Sequence, residues 1–148
     1  MIKTRLLAAA CLLWAASAHA QTAPTECPTL PADSGLGWER LDNPGFTFCK
    51  AIREDASQAF AVMITEESPF KPKRGDRVEE TVIDGRETHW YRSEVAARPD
   101  LLVRETLIEL DRDHVAHISL RAASQEELAR SLQIVESLRF GATRLSSN

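Results

Sequence analysis

The sequence predicts an α+β protein, an antiparallel β-sheet of about six to seven strands covered on one face by a C-terminal helix. Three observations lead there. Short runs of alternating apolar and polar residues fill the chain from residue 37 to about 120. Turn-forming clusters separate them, Asp84-Gly85 being the clearest. After these runs comes a single stretch with helical periodicity, SQEELARSLQIVESLRF. A sheet with one apolar face needs such a cover, because that face must leave water.

The chain has 148 residues and opens MIKTRLLAAACLLWAASAHAQT. Lys3 and Arg5 precede an apolar stretch of 11 residues, Leu6 to Ala16, and Ala18-His19-Ala20 is a small-x-small triplet. This is the pattern of a secretory signal peptide, with cleavage expected between Ala20 and Gln21. The apolar run is shorter than the roughly 20 residues a membrane span needs. Ala8-Ala9-Ala10-Cys11 also resembles a lipoprotein box, and lipidation of Cys11 stands as the alternative. Loss of residues 1–20 leaves 128 residues, with 16 basic against 22 acidic side chains, a net −6. That length supports one domain, and the acidity disfavours nucleic acid and anionic membrane surfaces. The expected location is the periplasm or the exterior, with no transmembrane segment in the mature chain.

The mature chain holds two cysteines, Cys27 and Cys49. An even count in an oxidising compartment reads as one disulfide. No CxxC is present to suggest a redox or metal pair.

Residues 21–36, with three prolines, read as an extended arm anchored at Cys27. Residues 37–141 read as the single domain and 142–148 as a disordered tail. Trp38 to Leu41 is a candidate strand, and Asp42-Asn43-Pro44-Gly45 a turn. Phe46 to Arg53 alternates, with Phe46, Phe48 and Ile52 on one side. Ala59 to Thr65 alternates with Phe60, Val62 and Ile64 together, and residues 54–57 join the two as a hairpin. SPFKPKRGD, residues 68–76, reads as a solvated loop. Its Lys71, Lys73 and Arg74 form the one basic cluster of an acidic chain, which also suits contact with an acidic partner. Val78 to Ile83 and Arg86 to Val95 flank Asp84-Gly85, the turn type that needs positive φ. Leu101 to Leu110 and Val115 to Leu120 form another hairpin about residues 111–113. Ser124 and Glu127 then make a capping box. Leu128, Leu132, Ile134, Val135 and Leu138 form the apolar stripe, and Gly141 marks the expected stop.

The order of the DG hairpin, "LLVRETLIEL", "HVAHISLRA" and a capped helix closing "IVESLRF" resembles the C-terminal half of the Mog1/PsbP/DcrB-like α/β/α sandwich domains. The likeness covers about residues 76–140. Many bacterial members are small and exported. One feature departs from them: a helix usually precedes the central hairpin, and residues 68–76 are too short and Pro-rich for one. The resemblance implies a binding or adaptor domain without catalysis, on a fold that is not tied to one function.

ETHWYR, residues 87–92, is the densest run of reactive side chains. On a strand, Thr88, Trp90 and Arg92 point one way and His89 and Tyr91 the other. Trp90 is the expected core anchor. His89 and Tyr91 are expected on the outer face, where an aromatic patch suits a partner, since Trp, Tyr and Arg dominate contact hot spots. His114 and His117, three apart on an expected strand, face opposite sides, which is poor metal-pair geometry; His117 is expected to face solvent or bond across the sheet. No serine lies in a GxSxG elbow, and both cysteines are assigned. Glu105 and Glu109 share a strand face, but a glycosidase pair needs a cleft. The expectation is therefore a non-catalytic, cofactor-free protein-binding module, with an immunity-type inhibitor of a toxic hydrolase as its sharpest form. His89, Tyr91, Arg92, Lys71, Lys73 and Arg74 are its expected contact residues. A small-ligand carrier or enzyme with a pocket between sheet and helix is the alternative, and a structural envelope component a third.

Overall fold

The computed structural model describes residues 26–141. The expected signal peptide, its cleavage site, Cys11 and the 142–148 tail lie outside the described residues. Seven strands form one antiparallel sheet: β1 (Gly37–Asn43), β2 (Phe46–Ile52), β3 (Gln58–Thr65), β4 (Arg77–Ile83), β5 (Arg86–Ser93), β6 (Leu102–Glu109) and β7 (Val115–Ala122). Their order across the sheet is β1-β2-β3-β7-β6-β5-β4. One helix, α1 (Gln125–Glu136), follows β7 and packs on one face, against β7 and β4. The α+β plan with a one-sided helical cover is thus the observed one. A second helical layer, as in an α/β/α sandwich, is absent among the described residues.

The turns follow from backbone chemistry. Asp84 and Gly85 both take positive φ, 49° and 75°, the requirement of a type I′ hairpin. Gly45 has φ 89° behind Pro44 and closes the β1–β2 hairpin in two residues, with Asn43 opposite Phe46. Residues 53–57 join β2 to β3; Arg53 N–H donates to the Ser57 carbonyl and the Ser57 N–H to Asp55 Oδ1.

The core lies between the sheet and α1. Trp90, Phe60, Ile83, Ile118 and Leu120 from the sheet meet Leu128, Val135 and Leu138, all buried. Trp90 is 1% exposed, as expected of the anchor; its indole Nε1 has no hydrogen-bond partner. Thr106 is wholly buried, and its hydroxyl donates to the His89 carbonyl across the strands.

The Cys27–Cys49 disulfide is present, with Cα atoms 5.8 Å apart. It closes a separation of 22 residues, worth on the order of 3 kcal/mol in the chain-entropy picture. The arm is also held by Trp38 Nε1 donating to the Pro28 carbonyl, and by Thr29 pairing with Arg139. That pairing corrects the expected helix end. The helix stops at Glu136, well before Gly141, and the chain turns extended to meet the arm. The Ser124 half of the capping box is formed, with Ser124 Oγ accepting from the Glu127 N–H at 3.2 Å. Glu127 Oε2 reaches back to the Ala123 N–H rather than to that of Ser124.

Candidate functional site

The sheet face away from α1 is the candidate site. On it lie Leu41, Phe48, Met63, His117, Leu107 and His89, a row that crosses the sheet. Leu41 pairs with Phe48, Phe48 with Met63, Met63 with His117, and His117 with Leu107. Direct partners in an antiparallel ladder share a face, so the row is continuous from Leu41 to Leu107; His89 shares that face with Tyr91, two residues along β5, which pairs with Glu105.

The side of β2 that faces the helix is not the one carrying its phenylalanines. Thr47, Cys49 and Ala51 are buried on the core side, while Phe46 and Phe48 face away. The disulfide explains this: Cys49 must meet the arm, so its neighbours of the same parity turn inward and the two phenylalanines turn out. Leu41 (54%), Val82 (52%) and Phe46 (36%) are the exposed large hydrophobics among the described residues, and all three lie on the helix-free face. None of them was an expected contact residue. Only the pairing register reveals that they share a surface.

One segment crosses this face. Between β3 and the 3-10 turn Arg74–Asp76, residues 66–73 form a strap. The Thr65 hydroxyl donates to the Gly45 carbonyl and accepts from the Glu67 N–H, bending the chain back. Ser68 Oγ is buried and accepts from the Phe70 N–H, which aims Phe70 at the sheet. The Phe70 ring lies flat on His117 and edge-on to Tyr91, centroids 5.1 and 5.8 Å away.

Tyr91 therefore needs correction as an exposed contact residue. Its face is the expected one, but it is 7% exposed beneath Phe70, and its hydroxyl accepts from Arg77 Nε at 3.4 Å. His89 is half-buried on the same face, with Nε2 3.4 Å from Glu80. Arg92 is exposed but belongs to the opposite face, beside Arg104, so it does not join His89 and Tyr91. Lys71, Lys73 and Arg74 are exposed along the strap and its turn; Lys71 pairs with Glu67 at 3.3 Å. The structure thus gathers His89, Tyr91 and the basic strap over one face and leaves Arg92 out.

Beneath Phe70, His117 Nε2 lies 2.9 Å from Glu105 Oε1, a bond across the sheet. That hydrogen bond holds the Glu105 carboxyl below its ordinary range, against the opposing effect of burial; Ser93 and Arg121 add to the lowering. His114 belongs instead to the β6–β7 turn, where its Nδ1 lies 2.9 Å from Asp111. No group of three or more His, Cys, Asp or Glu converges among the described residues. On the helix side a cleft of about 620 Å³ borders the start of α1, where Arg53 bridges to Glu127 at 2.8 Å. No helix among the described residues is long and apolar enough to cross a membrane.

Comparison of the chain with known protein families, with curated proteins and with solved structures finds no match in any of the three.

Proposed function

We propose that this chain is an exported, non-catalytic protein-binding module that docks a partner on its helix-free sheet face. One observation carries the reading: among the described residues the exposed large hydrophobics all lie on that face, Leu41 and Phe46 toward one edge and Val82 at the other. Apolar side chains left in water on a face without a covering layer suit a partner's surface. The disulfide and the leader-like start support export to an oxidising compartment, the periplasm of a bacterial cell. The resemblance to small exported adaptor domains points the same way. Within this class the sharpest form is an immunity-type inhibitor that occludes the cleft of a toxic hydrolase.

The test is capture. The oxidised chain 21–148 is immobilised beside a L41S/F46S/F48S variant, and both are exposed to periplasmic and secreted fractions of the parent cell. The reading expects a hydrolase retained by the native chain, lost by the variant, and inhibited by the free protein. Retention of the same proteins by both columns, or none by either, contradicts it.

A further inference from the structure

We infer that the stretch of helix-free face from Arg77 on β4 to Arg121 on β7 is a recognition site for a carboxylate-bearing segment of a protein partner. The inference rests on the proposed protein-binding role of this face and names the chemistry of the partner.

Four cations from two parts of the chain border that stretch: Lys73, Arg74 and Arg77 at the β4 edge, and Arg121 three strands away on β7. Arg77 opens β4 and pairs directly with Tyr91. Tyr91 in turn pairs with Glu105, and Glu105 with Ser119. Arg121 lies two residues along β7 from Ser119, on the same face, close enough to Glu105 to lower its pKa. Lys73 and Arg74 belong to the segment that leads into Arg77, and the 3-10 turn carrying Arg74 lies against β5. All four are exposed, and none has an ion-pair partner among the described residues. Most other basic side chains of the domain are paired. Of the carboxylates near them, Glu105 is already engaged by His117 at 2.9 Å, while Asp76 stands between Arg74 and Arg77 in the chain.

These cations without ion pairs lie on a chain with excess acid, so their free charge is open to an acidic partner. Arg77 to Arg121 spans three strand spacings, roughly 14 Å, which matches about four residues of extended peptide. Guanidinium groups bind carboxylates through two parallel hydrogen bonds, and a row of them reads a row of acids. The two parts of the face then divide the work. Leu41 and Phe46 supply apolar contact at the end near the β1–β2 turn. The Arg77–Arg121 stretch supplies charge, steering and register.

The test uses a labelled peptide of alternating glutamate and serine, with a lysine–serine peptide as control, followed by anisotropy in about 0.15 M salt. The native chain is expected to bind the acidic peptide and not the basic one. R77Q/R121Q is expected to lose at least tenfold in affinity. K73Q/R74Q, wholly on exposed positions, is expected to lose at least threefold and reads the site even if the first variant folds poorly. R112Q/R130Q, with the same change in charge at the far hairpin and on the helix, is expected to change nothing. Absence of acidic-peptide binding, equal loss in the control variant, or retention by phosphatidylglycerol vesicles but not by peptide overturns the inference. Failures of the two proposals remain separable. A captured partner lost by L41S/F46S/F48S but kept by the charge variants leaves the docking face standing and removes this site. Acidic-peptide binding without any captured partner does the reverse.

Discussion

The Phe70 ring lies parallel to the His117 imidazole, centroids 5.1 Å apart and planes 9° from each other. It joins a strap that would otherwise be a solvated loop to the centre of an otherwise helix-free sheet face. Phe70 also covers Tyr91, so one side chain decides what this face presents.

Phe70→Ala removes the stack and the edge contact together. The expected cost is about 1–3 kcal/mol, the range for truncating a partly buried aromatic. The same change frees the strap. Tryptic cleavage at Arg74 is expected to speed up several-fold under native conditions, while the Asp84-Gly85 hairpin stays protected. Unchanged cleavage would mean that the strap is held elsewhere.

Acid weakens the bond under Phe70. Hydrogen bonding from His117 holds the Glu105 carboxyl below its ordinary value of 4.5. A carboxyl with a depressed folded-state pKa contributes stability above its unfolded value and loses it as pH falls through the folded one. The native chain is therefore expected to lose stability progressively below about pH 4.5. In Glu105→Gln that part of the pH curve flattens, and stability at pH 7 falls by about 1–2 kcal/mol. Glu79, lowered chiefly by its hydrogen bond from Arg104, keeps a dependence of the same sign, so the curve does not become flat throughout. Denaturant midpoints measured from pH 3 to 7 check both statements.

The disulfide acts on the arm. Replacing Cys27 and Cys49 together by Ala is expected to cost on the order of 3 kcal/mol. The local signature is faster hydrogen exchange at the Thr29 and Arg139 amides, each of which donates to the other residue's carbonyl. The amides of β6 and β7 should slow or speed only with global stability.

Ser124→Ala removes the side chain that accepts from the Glu127 N–H. About 1 kcal/mol of stability is expected to go with it. Glu127 keeps its bonds to the Ala123 N–H and to Arg53, so the first turn frays without the helix leaving the sheet.

Much of this fold is legible in the sequence because its signals are local. Alternation finds the seven strands, Asp84-Gly85 demands its turn, and Ser124 with Glu127 starts the helix. The facing of Trp90 against His89 and Tyr91 also follows from period-two geometry. What is not legible depends on partners far along the chain. Phe46 and Phe48 are the bulkiest residues of their strand, yet Cys49 turns them outward to reach Cys27. The helix ends at Glu136 because Arg139 pairs with Thr29, more than 100 residues away, and no stop residue announces it. Tyr91 has the expected face, but its cover is Phe70, placed there by the Ser68 turn and the sheet order. The apolar group of Leu41, Phe46, Phe48 and Met63 comes from three strands, so only the pairing register assembles it.

The most direct measurement of the central claim is a hydrogen-exchange footprint of the chain bound to its captured partner. Protection on binding is expected in β1, β2 and β3 around Leu41, Phe48 and Met63, and through the strap to Arg77, while amides 125–136 of the helix exchange as in the free protein. Protection confined to the helix, or to the cleft beside its start, would place the partner on the covered face and contradict the account.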